Sequence, residues 1–231
     1  MAIDSALPVS AQGVGRGERA WLVGGAVALL VCRIFAAVAL PVYDDAFITL
    51  RYARNLAYGY GLVYQPGEWL LGTTTPGFAL LGSLLFLLRL PMPATVVALN
   101  IAADVAAYEL LAGMMPRPER GVAAPLFAAL FAVSPIANRI CVGAMEMNVY
   151  VLGALAAIRW YGRRRTTAAL ALAALLYLLR PEAVILVGVL GLLALLRGER
   201  RAALTGGAAA AAIVGAVVAA LWLVYGQPVP Q

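Results

Sequence analysis

Lysine and histidine are both absent from this chain of 231 residues, and cysteine occurs only twice. Their absence excludes Ser-His-Asp and Cys-His nucleophile systems, a P-loop lysine, a Schiff-base lysine and a histidine-bound metal. Cys32 and Cys141 lie in or beside apolar segments, at a spacing that fits no metal site. We therefore predict that both cysteines are packing residues.

Charge is also scarce, since charged residues make up only 12% of the chain and hydrophobic residues make up 64%. The mean hydropathy is +0.90, whereas a soluble domain has about a quarter of its residues charged. Residues 20–40 and 202–226 form continuous apolar runs of the length that crosses a bilayer. The composition predicts an all-α, polytopic helical membrane protein.

The basic residues, all 17 of them arginine, lie in short clusters between the apolar runs. A net charge of +6 is compatible with nucleic-acid binding, but this clustering is typical of membrane orientation. We therefore predict no nucleic-acid partner. The positive-inside rule places four arginine-bearing segments on the cytoplasmic side: residues 1–19, 117–120, 163–165 and 197–201.

Eight apolar segments can be counted, at residues 20–40, 76–90, 94–115, 121–136, 147–161, 167–179, 183–196 and 203–225. If both the N-terminus and residues 197–201 are cytoplasmic, an even number of crossings must separate them. Residues 76–90 are short, begin with Pro-Gly and contain Arg89, so we predict an interfacial or re-entrant helix there. The prediction is about seven transmembrane helices, with interfacial helices in a first external loop, residues 41–93.

This topology divides the chain into a cytoplasmic tail, residues 1–19, and a transmembrane module, residues 20–231. It also collects charge outside the membrane. Five acids fall in external segments: Asp44, Asp45, Glu68, Glu146 and Glu182. With Arg159 at the cytoplasmic end of its apolar segment, eleven arginines are cytoplasmic, and five of the remaining six join these acids outside. A mixed cluster at a membrane face predicts a site for an anionic headgroup and a proton acceptor.

Asp44 and Asp45 are the first candidates for chemistry, because one carboxylate of a pair can act as general base while the other supports it. The alternative is that Asp45 caps the following helix. That helix is predicted to be amphipathic and to end at Gly59. Arg51 and Arg54 share one of its faces, which suits either a phosphate or lipid headgroups.

Two more segments carry paired charges. Glu146 begins a predicted transmembrane helix, with Arg139 seven residues earlier. Arg180 and Glu182 flank Pro181 in the break between two helices. The alternative for this turn is a local Arg–Glu pair that stabilises the hairpin.

A polar stripe runs through the third apolar segment, because Asn100, Asp104 and Tyr108 follow each other at intervals of four. An acid inside a membrane segment is functional by default, and the alternative is that Asn100 and Tyr108 satisfy a protonated Asp104 inside the bundle. Asp104 and Glu109 are therefore left outside the predicted site.

Taken in order, five strings resemble a known family: "DDAFITLRYARNLAYGYGLVYQPGE", "GTTTPG", "GAMEM", "LLRPEA" and "YGQPVP". Together they resemble the GT-C superfamily of integral-membrane glycosyltransferases. The nearest branch comprises polyprenyl-phosphate-dependent arabinofuranosyltransferases and mannosyltransferases. The resemblance covers residues 20–231, and its most specific part begins at Asp44.

The resemblance implies inverting transfer of a sugar from a polyprenyl-phosphate-linked donor to a hydroxyl of a glycan or protein acceptor. It implies the external face of the bacterial cytoplasmic membrane as the location. The family's roles carry over as Asp44 for the general base, Asp45 for its support and Glu146 for the acid of the second external loop. The residues expected to bind the donor phosphate are Arg51, Arg139 and Arg180. The expected supporting residues are Arg54, Glu182 and Tyr43.

Two expectations remain open. A divalent cation, Mg²⁺ or Mn²⁺, beside Asp44 and Asp45 is one option, because metal use in the family is not uniform. Related enzymes are also much longer than this chain. A truncated or non-catalytic membrane module, or a carrier of lipid-linked sugars, therefore stands as the alternative function.

Overall fold

The computed structural model describes residues 16–226, which form ten α-helices and no strand. The helices are α1 (Arg16–Ala39), α2 (Asp44–Ala57), α3 (Pro76–Leu87), α4 (Ala94–Ala112), α5 (Arg117–Val133), α6 (Pro135–Val142), α7 (Met147–Gly162), α8 (Thr166–Leu175), α9 (Ala183–Leu196) and α10 (Arg200–Tyr225). A short 3₁₀ helix, Leu176–Leu178, follows α8. The all-α prediction is confirmed, and each of the eight apolar segments contains a helix.

Three helices are long and apolar enough to cross a membrane: α1, α4 and α10. A fourth span results if α5 and α6 are counted together, although the chain bends by 72° between them. The helices α3, α8 with its 3₁₀ extension, and α9 are apolar but shorter. Among the described residues, the chain is therefore all-helical, with three or four helices that could span a membrane by length and composition. The count of seven spans and the interfacial helices stay predictions.

Several connections between helices meet at one end of the bundle. The backbone N–H of Tyr43, before α2, donates to the carbonyl of Gly143, after α6, at 3.3 Å. Arg180, in the turn before α9, donates to Glu146, at the start of α7, at 2.8 Å. We call this end of the bundle the loop end; it comprises residues 41–72, 139–146 and 178–182.

The end of α10 reaches the same region. The hydroxyl of Tyr225 donates to the carbonyl of Leu62 at 2.5 Å, and its ring lies 6.3 Å from that of Trp69. The sequence-based topology likewise put the end of this helix on the side of the first long loop.

The opposite end of the bundle carries most of the arginines. Arg164 pairs with Glu199 at 2.5 Å, and the guanidinium of Arg197 lies 4.2 Å from the ring centroid of Tyr161. Arg120 approaches Glu18 at 3.6 Å. The arginine-bearing segments 163–165 and 197–201 therefore meet each other, and the start of α5 meets the start of α1.

Helix α2 ends as the sequence predicts. Gly59 has φ +84°, a left-handed conformation that glycine adopts without strain. The N–H of Gly59 donates to Leu56 at 3.1 Å and the N–H of Tyr60 donates to Asn55 at 2.9 Å. This is a Schellman motif, which satisfies carbonyls at the helix end that would otherwise lack donors.

Buried polar side chains of α2 hold the long loop that follows it. The amide of Asn55 donates to the carbonyls of Val63 and Tyr64, each at 2.9 Å. The hydroxyl of Tyr52 donates to Leu70 and accepts from Gly72, both at 2.7 Å. Burial raises the pKa of Tyr52, so this hydroxyl remains protonated and able to donate. The loop is thus attached to α2 along its length.

Candidate functional site

Asp44 and Asp45 are the first two residues of α2. Tyr43 is the N-cap residue, so the alternative that Asp45 caps the helix is wrong. Both carboxylates are exposed, and neither forms an ion pair with another residue of the described range 16–226. Negative charge in the first turn is favourable because of the helix dipole. The pair is therefore anchored by α2 yet open to a ligand.

Tyr43 joins this helix to the loop between α6 and α7. Its backbone donates to Gly143, and its ring packs so closely on Gly143 that a Cβ there would overlap it. The guanidinium of Arg139 stacks 4.1 Å from the ring centroid of Tyr43 and donates to the carbonyl of Pro41. The start of α2 and the Arg139-bearing segment thus form one contact surface.

Glu146, Arg180 and Glu182 form the second charged group at the loop end. Arg180 donates to Glu146 at 2.8 Å and to Glu182 at 2.9 Å. Glu146 is only 2% exposed, whereas the side chain of Glu182 is 54% exposed. Hydrogen bonding to Glu182 raises the pKa of Arg180, and the same bond lowers the pKa of Glu182. The local pair between Arg180 and Glu182 is therefore present, and Glu146 also pairs with Arg180.

The predicted phosphate-binding arginines differ in how their charge is balanced. Arg180 faces two carboxylates, so a phosphate would have to compete with both. Arg139 has no carboxylate within ion-pair distance among the residues placed by the structure. Of these two, only Arg139 has positive charge left for an anionic ligand.

Arg51 and Arg54 lie farther along α2. The Nε of Arg51 donates to the carbonyl of Tyr64 at 3.0 Å, and its guanidinium lies 4.7 Å from that ring centroid. At the helical rise of 1.5 Å per residue, Arg51 lies roughly 10 Å from Asp44 along the axis. The structure therefore divides the predicted arginines among three separate environments.

An apolar groove of about 720 Å³ lies between α1 and the bent α5–α6 pair. Phe35 of α1 and Leu40, just after α1, face Val133 and Pro135 across it, and Arg139 lies on its border. The groove therefore offers an apolar surface next to the arginine that stacks on Tyr43.

A buried ion pair connects the middle of α1 to α4. Arg33 is fully buried, and its Nε donates to Asp104 at 2.7 Å. Its Nη1 donates to the side-chain oxygen of Asn138 at 2.6 Å, and Asn148 donates to Asp104 at 3.1 Å. The network therefore joins α1, α4, α6 and α7.

The alternative in which Asn100 and Tyr108 satisfy Asp104 is wrong. Asn100 donates instead to the carbonyls of Cys141 and Met145, at 3.1 and 2.8 Å. Tyr108 donates to the carbonyl of Leu22 at 3.2 Å. The signal for the true partner was present, because Arg33 is a lone cation in an apolar run and must be paired if buried.

The described residues contain no group of three or more His, Cys, Asp or Glu side chains placed to share a metal ion. A cation beside Asp44 and Asp45 would therefore have carboxylates from one helix turn and no third ligand of these types from residues 16–226. The geometry gives the divalent-cation option no further support.

No protein-family model, curated protein or solved structure matches this chain. The case for a function therefore rests on the residues at the loop end and on their geometry.

Proposed function

We propose that the chain is a GT-C-like glycosyltransferase module. It transfers a sugar, with inversion, from a polyprenyl-phosphate-linked donor to a hydroxyl of a glycan or protein acceptor. The reaction takes place at the external face of the bacterial cytoplasmic membrane. The observation that carries the proposal is the packing of Tyr43 on Gly143, which sets the Asp44–Asp45 turn beside Arg139 and the Glu146 loop.

Asp44 is the proposed general base, with Asp45 supporting it. As the acceptor oxygen attacks the anomeric carbon, its proton passes to the Asp44 carboxylate. The new C–O bond forms while the bond between the anomeric carbon and the phosphate oxygen breaks, and the lipid phosphate leaves with the electron pair. Exposure of both carboxylates gives an acceptor access to them.

Arg139 is the proposed partner of the donor phosphate. The leaving phosphate already carries negative charge, so a fixed cation stabilises its departure better than a protonating acid does. Arg139 is held by Tyr43 and Pro41 and borders the apolar groove between α1 and α5–α6. That groove would take the first units of the lipid chain.

The Glu146–Arg180–Glu182 group has a supporting role in this proposal. Glu146 is buried at the start of α7, just after Gly143, so its bond to Arg180 holds the loop on which Tyr43 packs. Arg180 is therefore a positioning residue here, and Arg139 is the arginine that meets the phosphate.

The test is a transfer assay with the full chain in liposomes that contain polyprenyl-phosphate pentoses and hexoses, together with glycan and peptide acceptors. Removing a general base costs about 10²–10⁴-fold in rate, so Asp44→Asn should lower transfer by at least about 10²-fold. Glu68→Gln is the matched control, because Glu68 is an exposed acid of the same long loop. Its rate should stay within about twofold of the wild type.

The outcomes separate the alternatives. Undiminished transfer by both Asp44→Asn and Asp45→Asn would rule out either residue as base. If the wild-type chain binds the donor but transfers no sugar from it, the result would favour a non-catalytic module or a carrier of lipid-linked sugars.

A further inference from the structure

A second cleft lies at the loop end, on the side of α2 that carries Arg51 and Arg54. It has a volume of about 360 Å³, and its other walls include Tyr64, Phe86 and Met92. Those walls come from the loop after α2, the end of α3 and the turn before α4. Three segments distant in sequence therefore form one small concave surface around two arginines.

The charge in this cleft is unbalanced. The residues that line it include two arginines and no carboxylate. Neither Arg51 nor Arg54 forms an ion pair with any part of the chain between residues 16 and 226. Arginines three residues apart share a helix face, so both can approach one anion.

Arg51 is also held in place. Its Nε donates to the Tyr64 carbonyl and its plane lies over the Tyr64 ring, which leaves its two terminal nitrogens without a partner among the described residues. A guanidinium fixed in this way loses little side-chain entropy on binding an anion with two oxygens. The other walls are apolar, with Phe47, Phe86 and Met92 beside the arginines.

The surroundings of the cleft resemble a membrane interface. Exposed aromatic side chains follow α2 along the chain: Tyr58, Tyr60, Tyr64 and Trp69. Tyrosine and tryptophan are enriched at the headgroup level, where an apolar ring and a polar group are both satisfied. Phe47 and Ile48 of α2 are exposed as well. The cleft thus combines positive charge with a surface suited to lipid.

We propose that this cleft binds the phosphate of a membrane amphiphile, with Arg51 and Arg54 on the phosphate oxygens and the first carbons of its chain against Phe86 and Met92. The ligand chemistry is a phosphate monoester or diester attached to an apolar chain. The site is distinct from the proposed donor site at Arg139, and the proposal stands whether or not the chain transfers sugar.

The experiment measures binding by the full chain in a neutral detergent, using native mass spectrometry. Four probes are compared: phosphatidic acid, phosphatidylglycerol, farnesyl phosphate and inorganic phosphate. Charge-assisted hydrogen bonds justify an expected weakening of lipid-phosphate binding by about tenfold to a hundredfold in the Arg51→Gln/Arg54→Gln variant.

Two further variants control the measurement. Arg89→Gln removes one exposed positive charge near the same end but outside the cleft, and binding should stay within about twofold of the wild type. Arg51→Lys/Arg54→Lys keeps the charge but loses the planar fork, so it should bind with intermediate strength. Helicity by circular dichroism confirms that each variant is folded.

Loss of lipid-phosphate binding in the Gln variant, with binding by Arg89→Gln unchanged, supports the proposal, and the preferred lipid identifies the source of the phosphate. Equal binding by the wild type and the Gln variant would overturn it. Inorganic phosphate that binds as tightly as the lipids would overturn the assignment to an amphiphile. Because no probe carries a sugar, these results are independent of transferase activity.

Discussion

Two of the clusters that join arginine to carboxylate lie in opposite surroundings. Arg33 and Asp104 pair in the middle of α1 and α4, where they are 0% and 6% exposed. Arg180 pairs with Glu146 and Glu182 at the loop end, where Arg180 is 28% and Glu182 is 54% exposed. Ion pairs of the same chemistry are therefore expected to contribute differently to stability and to chemistry in these two places.

In the buried cluster every charge is committed to the fold. Besides Asp104, Arg33 donates to the carbonyls of Phe131 and Ala132, at 3.3 and 3.5 Å. These carbonyls lie at the end of α5, beside the bend before Pro135. The carbonyl of Phe131 also accepts from the N–H of Ser134 at 3.4 Å, and that of Ala132 from the amide of Asn138 at 2.8 Å. The Arg33 guanidinium therefore also donates hydrogen bonds to backbone carbonyls at the break between α5 and α6. The loop-end cluster is partly solvated, so its members can exchange partners with water or a ligand.

The largest expected effect comes from breaking the buried pair. Arg33→Met should lower the free energy of unfolding by about 3–5 kcal/mol, because Asp104 is left as a buried charge without its partner. The measurement is equilibrium unfolding by sodium dodecyl sulfate in mixed micelles, followed by circular dichroism.

The control is the double variant Arg33→Met/Asp104→Leu, which removes both charges and keeps apolar volume. It should recover most of the lost stability, since replacing a whole buried pair is often neutral. A double variant as unstable as Arg33→Met would show that the bonds to the α5 carbonyls, and not the ion pair, dominate.

A smaller effect is expected at the loop end from Glu146→Gln. This change keeps the shape but replaces a charged hydrogen bond to Arg180 with a neutral one, at a cost of about 1.5–3 kcal/mol. Because Arg180 keeps its ion pair with Glu182, we expect the loss of stability to lie at the low end of that range. The same unfolding assay applies, with Glu109→Gln as control, because Glu109 is exposed and outside the cluster. Equal losses in both variants would contradict a specific role for Glu146.

The contact between the two halves of the loop end can be tested at Gly143. Gly143→Ala forces the Tyr43 ring to move, at a cost of about 1 kcal/mol, the low end for overpacking because a ring can rotate away. The proposed transfer should fall more steeply than stability does. Gly188→Ala in α9 is the control, since a methyl there meets nothing within 4 Å. If both variants lose activity equally, the Tyr43 contact does not hold the site.

The smallest effect is expected at Glu182, whose pairing is largely exposed to water. Its pKa lies below the usual 4.5 because Arg180 bonds the charged form, so its stabilisation is present above pH 4.5. The stabilisation is lost as the pH falls through the lowered pKa. Glu182→Gln should therefore cost about 0.2–1 kcal/mol at pH 7 and nothing at strongly acid pH. The check is unfolding at both pH values; a cost independent of pH would contradict the ionic origin.

Much of the fold followed from local pattern. The apolar runs predicted the helices, and the Gly-Tyr-Gly after α2 predicted where it ends, because backbone hydrogen bonding and glycine conformation are short-range effects. The turn at Arg180 and Glu182 was also visible in the sequence. The bend between α5 and α6 was not, since residues 137–146 read as a loop although α6 extends from Pro135 to Val142.

From its apolar runs and its few, clustered charges, the sequence predicted a helical chain with helices long and apolar enough to span a membrane. It also singled out Asp44 and Asp45 as a pair. Which charges meet depended on how the helices pack. Arg33 and Asp104 are 71 residues apart, and Arg180 and Glu146 are 34 apart. Residues so far apart in the chain meet only when their helices pack. An unpaired buried charge is so costly that a packing which leaves a charge unpaired is disfavoured.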